Sequence, residues 1–311
     1  MINVRSYSAR DEATWNDIVR QSRTGNFLHF RSYMDYHADR FIDQSLMILQ
    51  DDQPCAVFPA SLHDDSISSH GGLTYGGLLA TTDMRAQATL EAFEKIVSHY
   101  ASAGRDKLIY KAVPHIFHRY PSEEDLYALF RMGARLQRRD ISSVVEIGKA
   151  PKYSKGRKWT INKAKKAKLV LAASDRLEDF HELLCQQANE RGRQVVHTLA
   201  ELQLLKSRFP DQIVLYEARA EGLLQAGALI YDFGSTVHTQ YLVSSELGRT
   251  NGALDLVISE LVNDQYADRR YFSFGISTEQ SGHFLNEGLV AQKEGFGGRG
   301  VVHDFYEMDL K

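Results

Sequence analysis

Residues 212–275 constrain this chain more than any other stretch. Three strand-like runs, residues 212–218, 223–231 and 236–243, follow one another across short turns and read as an antiparallel meander. A Gly-containing turn at residues 248–253 then opens an apolar helix over 253–266, with Leu254, Val257, Ile258, Leu261 and Val262 on one face. A second strand over 271–275, a short helix near 283–290 and a final strand over 301–310 complete the order. Meander, turn, helix and strand together predict a mixed, mainly antiparallel sheet flanked by helices. The fold class is α/β, of the mixed α+β kind.

The first half carries the same order. A strand over 2–7 precedes helices over 10–20 and 31–41, then strands over 45–50 and 55–62. The Gly-dense segment 69–77 follows, where the backbone must turn at positive φ or approach a neighbour closely. A helix over 83–103 places Leu90, Phe93, Val97 and Tyr100 on one stripe. A strand over 107–113, a capping-box helix from Ser122 and a strand over 135–147 close this half. Between residues 149 and 168 stand nine Lys and Arg residues with no acid among them, and 150–156 reads as a linker. The second half restarts with a strand over 169–173, a helix over 176–191 and a capping box at Thr198–Glu201. The expectation is two domains of similar build, residues 1–150 and 151–311.

Composition narrows the class of function. With 43% hydrophobic and 25% charged residues the chain is typical of a soluble globular protein. A net charge of −3 does not advertise nucleic acid or membrane binding by the surface as a whole, and no DNA partner is expected. Cys55 and Cys185 are the only cysteines, which excludes a disulfide framework or a thiol-rich zinc site. His115 and His118 are three residues apart without a third ligand nearby, so no metal is expected. Neither a signal peptide nor an apolar run of spanning length is apparent, so the expected compartment is the cytoplasm.

The turn Gly248, Arg249, Thr250, Asn251, Gly252, Ala253 resembles the pantetheine-pyrophosphate loop of GNAT-type acyltransferases, except that its last position is Leu254. Two such cores, joined by Arg157-Lys158-Trp159-Thr160-Ile161-Asn162-Lys163-Ala164-Lys165, resemble the FemAB-like branch of that superfamily. So does the tail Phe272-Ser273-Phe274-Gly275, Asn286 and Lys293-Glu294-Gly295-Phe296-Gly297. That branch includes the peptidoglycan-branching aminoacyltransferases and relatives encoded among surface-polysaccharide genes. The resemblance implies two tandem GNAT-like cores. It also implies transfer of an acyl or aminoacyl group to an amine of a nucleotide- or lipid-linked sugar or peptide precursor for the cell envelope. The donor it implies is acyl-CoA such as acetyl-CoA, or alternatively aminoacyl-tRNA. The long helical hairpin of several tRNA-using members has no counterpart here. A binding or scaffold protein built on the same cores stays open as a non-catalytic alternative.

Candidate residues follow from this chemistry. Backbone N–H groups of residues 248–253 at a helix start, with Arg249, suit the donor's pyrophosphate. Acyl transfer to an amine needs a proton acceptor and charge stabilisation for the tetrahedral intermediate. Glu279, just past a strand end, is the candidate base, with His238 and Ser277 as further catalytic candidates. By strand alternation His238 and Gln240 share one face and Tyr241 the other. Gln240, Asn286 and Lys293 are candidate substrate contacts, and Arg157 and Lys158 candidate phosphate contacts or an RNA-binding patch. Tyr75, Tyr110, Lys111 and His115 of the first half are candidates for the acceptor side.

Overall fold

Two sets of strands, each with a helix-bearing crossover, build the chain. The computed structural model describes residues 1–149 and 152–310, so the expected domain boundary between 150 and 151 lies outside them. The chain divides into two compact units. One holds Met1–Asp140 and the C-terminal strand from Val302, and the other holds Ile141–Val301.

The first unit begins with β1 (Ile2–Ser6), α1 (Glu12–Gln21) and α2 (Arg31–Met34), followed by β2 (Ile42–Asp43), β3 (Leu46–Gln50) and β4 (Gln53–Phe58). After β5 (Ser61–His63), β6 (Ser66–Ser68) and β7 (Leu79–Ala80) come α3 (Ala86–Ser102), β8 (Lys107–Lys111), α4 (Glu124–Arg131) and β9 (Arg135–Glu146). β1, β3, β4 and β7 form one antiparallel sheet. β2, β5 and β6 are antiparallel neighbours, and β6 lies parallel to β8. A parallel neighbour requires a crossover, which the loop beyond Ser68 and α3 supply. Ala92, Phe93, Ile96 and Tyr100 of α3 are buried against Phe58, Leu108 and Tyr110. Phe93 and Tyr100 of the stripe read from the sequence are at the centre of this contact, while its Leu90 and Val97 are partly buried at the edge, so the docked face is turned toward Ala92 and Ile96.

The second unit opens with α5 (Lys155–Lys166), β10 (Val170–Ser174), α6 (Leu177–Glu190) and α7 (Leu199–Arg208). Then follow β11 (Ile213–Ala220), β12 (Leu223–Asp232) and β13 (Thr236–Ser244). α8 (Glu246–Asn251) and α9 (Ala253–Glu260) precede β14 (Tyr271–Ile276), β15 (Thr278–Glu279), β16 (Phe284–Leu285), α10 (Glu287–Glu294) and β17 (Arg299–Asp309). β10 to β13 are an antiparallel meander, β14 lies parallel to β13, and the second half of β9 pairs antiparallel with β14. The two faces of this sheet carry different helices. Ala226, Ala228 and Ile230 of β12 are buried with α5 and α9. On the opposite face, a Cβ on Gly227 would come within 2.8 Å of the Phe180 ring of α6, so only glycine lets that helix lie flat. The capping box at Thr198 is formed, the hydroxyl accepting from Glu201 N and the Glu201 carboxylate from Thr198 N.

Two readings of the sequence change here. The segment 248–253 is not an open turn. Ser245 caps a one-and-a-half-turn helix, α8, which ends at Gly252 in the left-handed conformation, φ 75°. The basic segment beyond the expected linker is an ordered helix from Lys155, capped by the Ser154 hydroxyl.

Candidate functional site

β13 and β14 run side by side for three rungs only, Thr236–Tyr271, Val237–Phe272 and His238–Ser273. Beyond them the strands part. A cavity of about 510 Å³ occupies the gap. Leu184 and Gln187 of α6 and Arg191 just past its end line it, and so do Leu254 and Ile258 of α9 with Leu289 and Lys293 of α10. Helices from opposite faces of one sheet can line one cavity only where the sheet is open. Side chains from helices on both faces of the sheet therefore meet in this gap.

The charge of this cavity is one-sided. Arg191, Arg193, Arg249 and Lys293 line it, and among the described residues no Asp or Glu does. Gln187, Gln194, Gln240 and Gln292 add neutral donors and acceptors, and Leu242, Leu254, Phe274 and Phe296 add apolar wall. Lys293 is buried, and its ammonium donates to the carbonyls of Gly275 and Ile276 and to Ser277 Oγ, each at 2.8 Å. Among the described residues it meets no carboxylate, and loss of hydration pulls its pKa down to about 8. Such a site suits an anion with an apolar neighbour group.

A bulge in β13 decides which side chains face it. The register between β12 and β13 slips after Leu229, so Leu229 faces Tyr241 and Ile230 faces Thr239, with Gln240 left over. His238 pairs with Tyr231 and Tyr241 with Leu229, so both stand on the α6 face. Simple alternation put Tyr241 on the other face, and the extra residue reverses this. There the Tyr241 hydroxyl lies 2.6 Å from Nδ1 of buried His197, and burial raises its pKa to about 12. A phenol so placed stays protonated at neutral pH and can act as an acid. Neither Tyr241 nor His197 has a sequence motif to mark it, and no pattern in the sequence singles out Arg191 or Arg193.

The sequence candidates fall in several places. Gln240 and Lys293 line the cavity, as does Arg249, whose guanidinium donates to the Ser244 carbonyl. Ser277 is buried beneath Lys293. His238 Nδ1 is 3.1 Å from Ser273 Oγ at the last shared rung, where the strands fork. Glu279 lies outside the lining. It accepts from Asn286 at 3.0 Å and from Arg193 at 2.6 Å, and these two contacts hold its pKa below the usual value. That weakens it as a proton acceptor and ties Arg193 in place. Asn286 also caps α10, accepting from Leu289 N.

The glycines of the 248–253 segment serve close packing. A Cβ on Gly248 would lie 1.9 Å from the Gln225 carbonyl oxygen, and one on Gly252 2.3 Å from Thr160 Cγ2 of α5. The N–H groups of Gly248, Arg249 and Gly252 are bonded to Ser245 Oγ, Ser245 O and Arg249 O. Asn251 donates to Gln225 Oε1, Ala253 is buried in the core, and Thr250 is exposed. The first turn of α9 already holds a carboxylate, buried Asp255, which Arg157 Nη1 bonds at 2.7 Å to each oxygen. Arg157 also stacks on Phe296, whereas Lys158 is exposed.

In the first unit, Tyr75 is buried with its hydroxyl 3.3 Å from Asn26 Nδ2. Tyr110 is buried, donates to Asp125 and accepts from Leu78 N. Lys111 is buried with its ammonium on the carbonyls of His70 and Leu73, and desolvation brings its pKa to about 7. His115 is exposed. Among the described residues no three His, Cys, Asp or Glu side chains group as a metal site, and no helix is long and apolar enough to cross a membrane.

No protein-family model matches the sequence, and no curated protein matches it. Solved structures do match over nearly the whole chain. FemX superposes with a TM-score of 0.68 at 11% identity, covering 97% of this chain and 96% of that one. The C-terminal domain of an Agrobacterium fabrum protein assigned as a lysylphosphatidylglycerol synthetase gives 0.64 at 10%, covering 97% and 92%. A tandem GNAT protein from the clavulanic acid biosynthesis pathway gives 0.53 at 12%, covering 100% and 99%. At these identities the likeness is one of fold. The chain has the FemAB-like fold of tandem GNAT-type cores, and its own parallel pairs β6–β8 and β13–β14 are each reached through a helical crossover.

Proposed function

We propose that the protein is an acyl- or aminoacyltransferase of cell-envelope biogenesis, and that transfer takes place in the gap between β13 and β14. One observation carries the reading: a cavity where β13 and β14 part, lined among the described residues by four cations and no acid and bordered by helices of both faces. A donor bearing phosphates enters against Arg191, Arg193 and Arg249, and its acyl group reaches the gap. The acceptor amine, on a nucleotide- or lipid-linked precursor, approaches from the opposite face.

The amine attacks the acyl carbonyl, and the resulting oxyanion collapses with cleavage of the C–S or C–O bond to the donor. The bulge leaves the Gln240 N–H outside the ladder, where it can donate to the oxyanion. Lys293 supplies a fixed positive potential beside it. Tyr241 protonates the leaving thiolate or ribose oxygen, and the proton released by the amine restores the Tyr241–His197 pair. Glu279 holds Arg193 rather than taking the amine proton.

The likeness to FemX and to the lysylphosphatidylglycerol synthetase domain favours an envelope precursor as acceptor. Acyl-CoA and aminoacyl-tRNA both fit the cationic lining, and a binding titration distinguishes them. One of the two is expected to bind, and replacing Arg191 and Arg249 by Ala is expected to weaken it at least tenfold, about 1.4 kcal/mol. Binding of neither, or equal binding by the double variant, would overturn the assignment.

A further inference from the structure

The outward face of α5 is built differently from the cavity. Ile161 and Ala164 are buried on its inner side, and Arg157 there is tied to Asp255. Lys155, Trp159, Asn162, Lys163 and Lys166 are spaced i, i+4, i+7, i+8 and i+11, which sets them on one stripe, and all five are exposed. Trp159 is 67% exposed, with Lys163 Nζ 5.6 Å from its ring. Lys155, Lys158, Lys163 and Lys166 meet no carboxylate among the described residues. Lys165 alone has one, Glu260 at 3.9 Å. α8 lies between α5 and β12, as the close approaches of Gly252 to Thr160 and of Gly248 to Gln225 require. Its Leu247 is exposed, and so is Leu223 at the start of β12.

We infer that this face of α5 docks on an anionic lipid surface. The stripe combines an indole with lysines whose long stems let the ammonium groups rise to phosphate level. Interfacial helices have this composition, and each lysine near a charged bilayer adds to the attraction. An RNA site would draw on guanidinium forks and on several stacking rings. Here the one arginine of the helix is turned inward and the stripe carries a single ring. The helix is about 18 Å long, short enough to lie flat on a headgroup layer. Phe296, which lines the cavity, stacks on Arg157 of the same helix, so docking would hold the cavity close to the bilayer. The docking is independent of the transfer reaction.

Trp159 reports on it directly, because Trp15 is the only other tryptophan and is fully buried. The full chain is titrated with vesicles of phosphatidylcholine alone and of phosphatidylcholine with phosphatidylglycerol, and tryptophan emission and co-sedimentation are read. A blue shift and sedimentation are expected with the anionic vesicles only, reversed by high salt. Replacing Lys155, Lys163 and Lys166 together by Gln is expected to lower vesicle affinity about a hundredfold. These positions are exposed, and circular dichroism checks that the variant is folded. Trp159→Phe should lose the emission change and retain weakened sedimentation. Equal binding to neutral vesicles, or unaltered binding by the triple variant, would overturn the proposal. So would absence of vesicle binding together with a salt-sensitive response of Trp159 to tRNA.

Discussion

Replacing Lys293 by Met tests the electrostatics of the cavity through a difference that folding alone can measure. The folded lysine titrates near 8 and the unfolded one near 10.5. Between those values the unfolded chain binds more protons than the folded one, so stability rises with pH across the window. A lysine brought from 10.5 to about 8 carries ~3 kcal/mol of burial cost while charged, of which roughly 2.5 kcal/mol is recovered between about pH 7 and about pH 10. The absolute effect of the substitution is not the readout. Met removes the buried charge but leaves the carbonyls of Gly275 and Ile276 without their donor, at about 1–3 kcal/mol each if they stay dry. These costs do not change over the same pH window. Urea unfolding of both proteins at the two pH values gives the double difference, in which Lys111 and the tyrosines cancel. Wild type is expected to gain about 2–3 kcal/mol more than the variant on going to the higher pH. Equal gains would mean that the ammonium is well hydrated, and the argument for a fixed charge in the gap would fail.

Two other substitutions examine separate steps of the reasoning. Tyr241→Phe removes the proposed acid but keeps the ring against His197, so turnover by the loaded enzyme should fall about 10²–10⁴-fold while donor affinity holds. Unchanged turnover would remove Tyr241 from the chemistry. Gly252→Ala forces a side chain into left-handed backbone and against Thr160, so the urea midpoint should drop by the equivalent of about 2 kcal/mol or more. A neutral result would show that α5 does not lie close on α8 and α9.

Much of the architecture was legible because periodicity reports directly on burial. The helix α3, the meander β11–β13 and the capping box at Thr198 all appear where the apolar spacing and polar caps put them. The cavity was harder to read, for reasons that can be stated residue by residue. Gly248 and Gly252 carry the same letters that would cradle a phosphate, yet each is glycine because a neighbouring element approaches too closely for a Cβ. Sequence reports that glycine is needed there and not what stands opposite. One extra residue in β13 turns Tyr241 onto the face of His238, and no residue type marks a bulge in advance. Glu279 looked like a free carboxylate because its partner, Arg193, lies 86 residues away in the chain.

The overall charge of −3 hides how the cations of the second unit are divided, and the division is itself informative. Three arginines have fixed partners: Arg157 on Asp255, Arg193 on Glu279 and Arg249 on the Ser244 carbonyl. Lysine stands where position matters less than potential, as on the outer stripe of α5. Lys293 differs from these, with three fixed acceptors and no carboxylate partner among the described residues. Exposed charges are screened within about 8 Å at physiological salt, whereas partly enclosed ones are screened much less. The two cationic surfaces should therefore separate in one salt titration, with attachment at α5 lost first and anion binding in the gap retained to higher salt. Had both been mere solvated charge, salt would remove them together. Arg157 links the two, because it joins α5 to Asp255 of α9 and to Phe296 of the cavity wall.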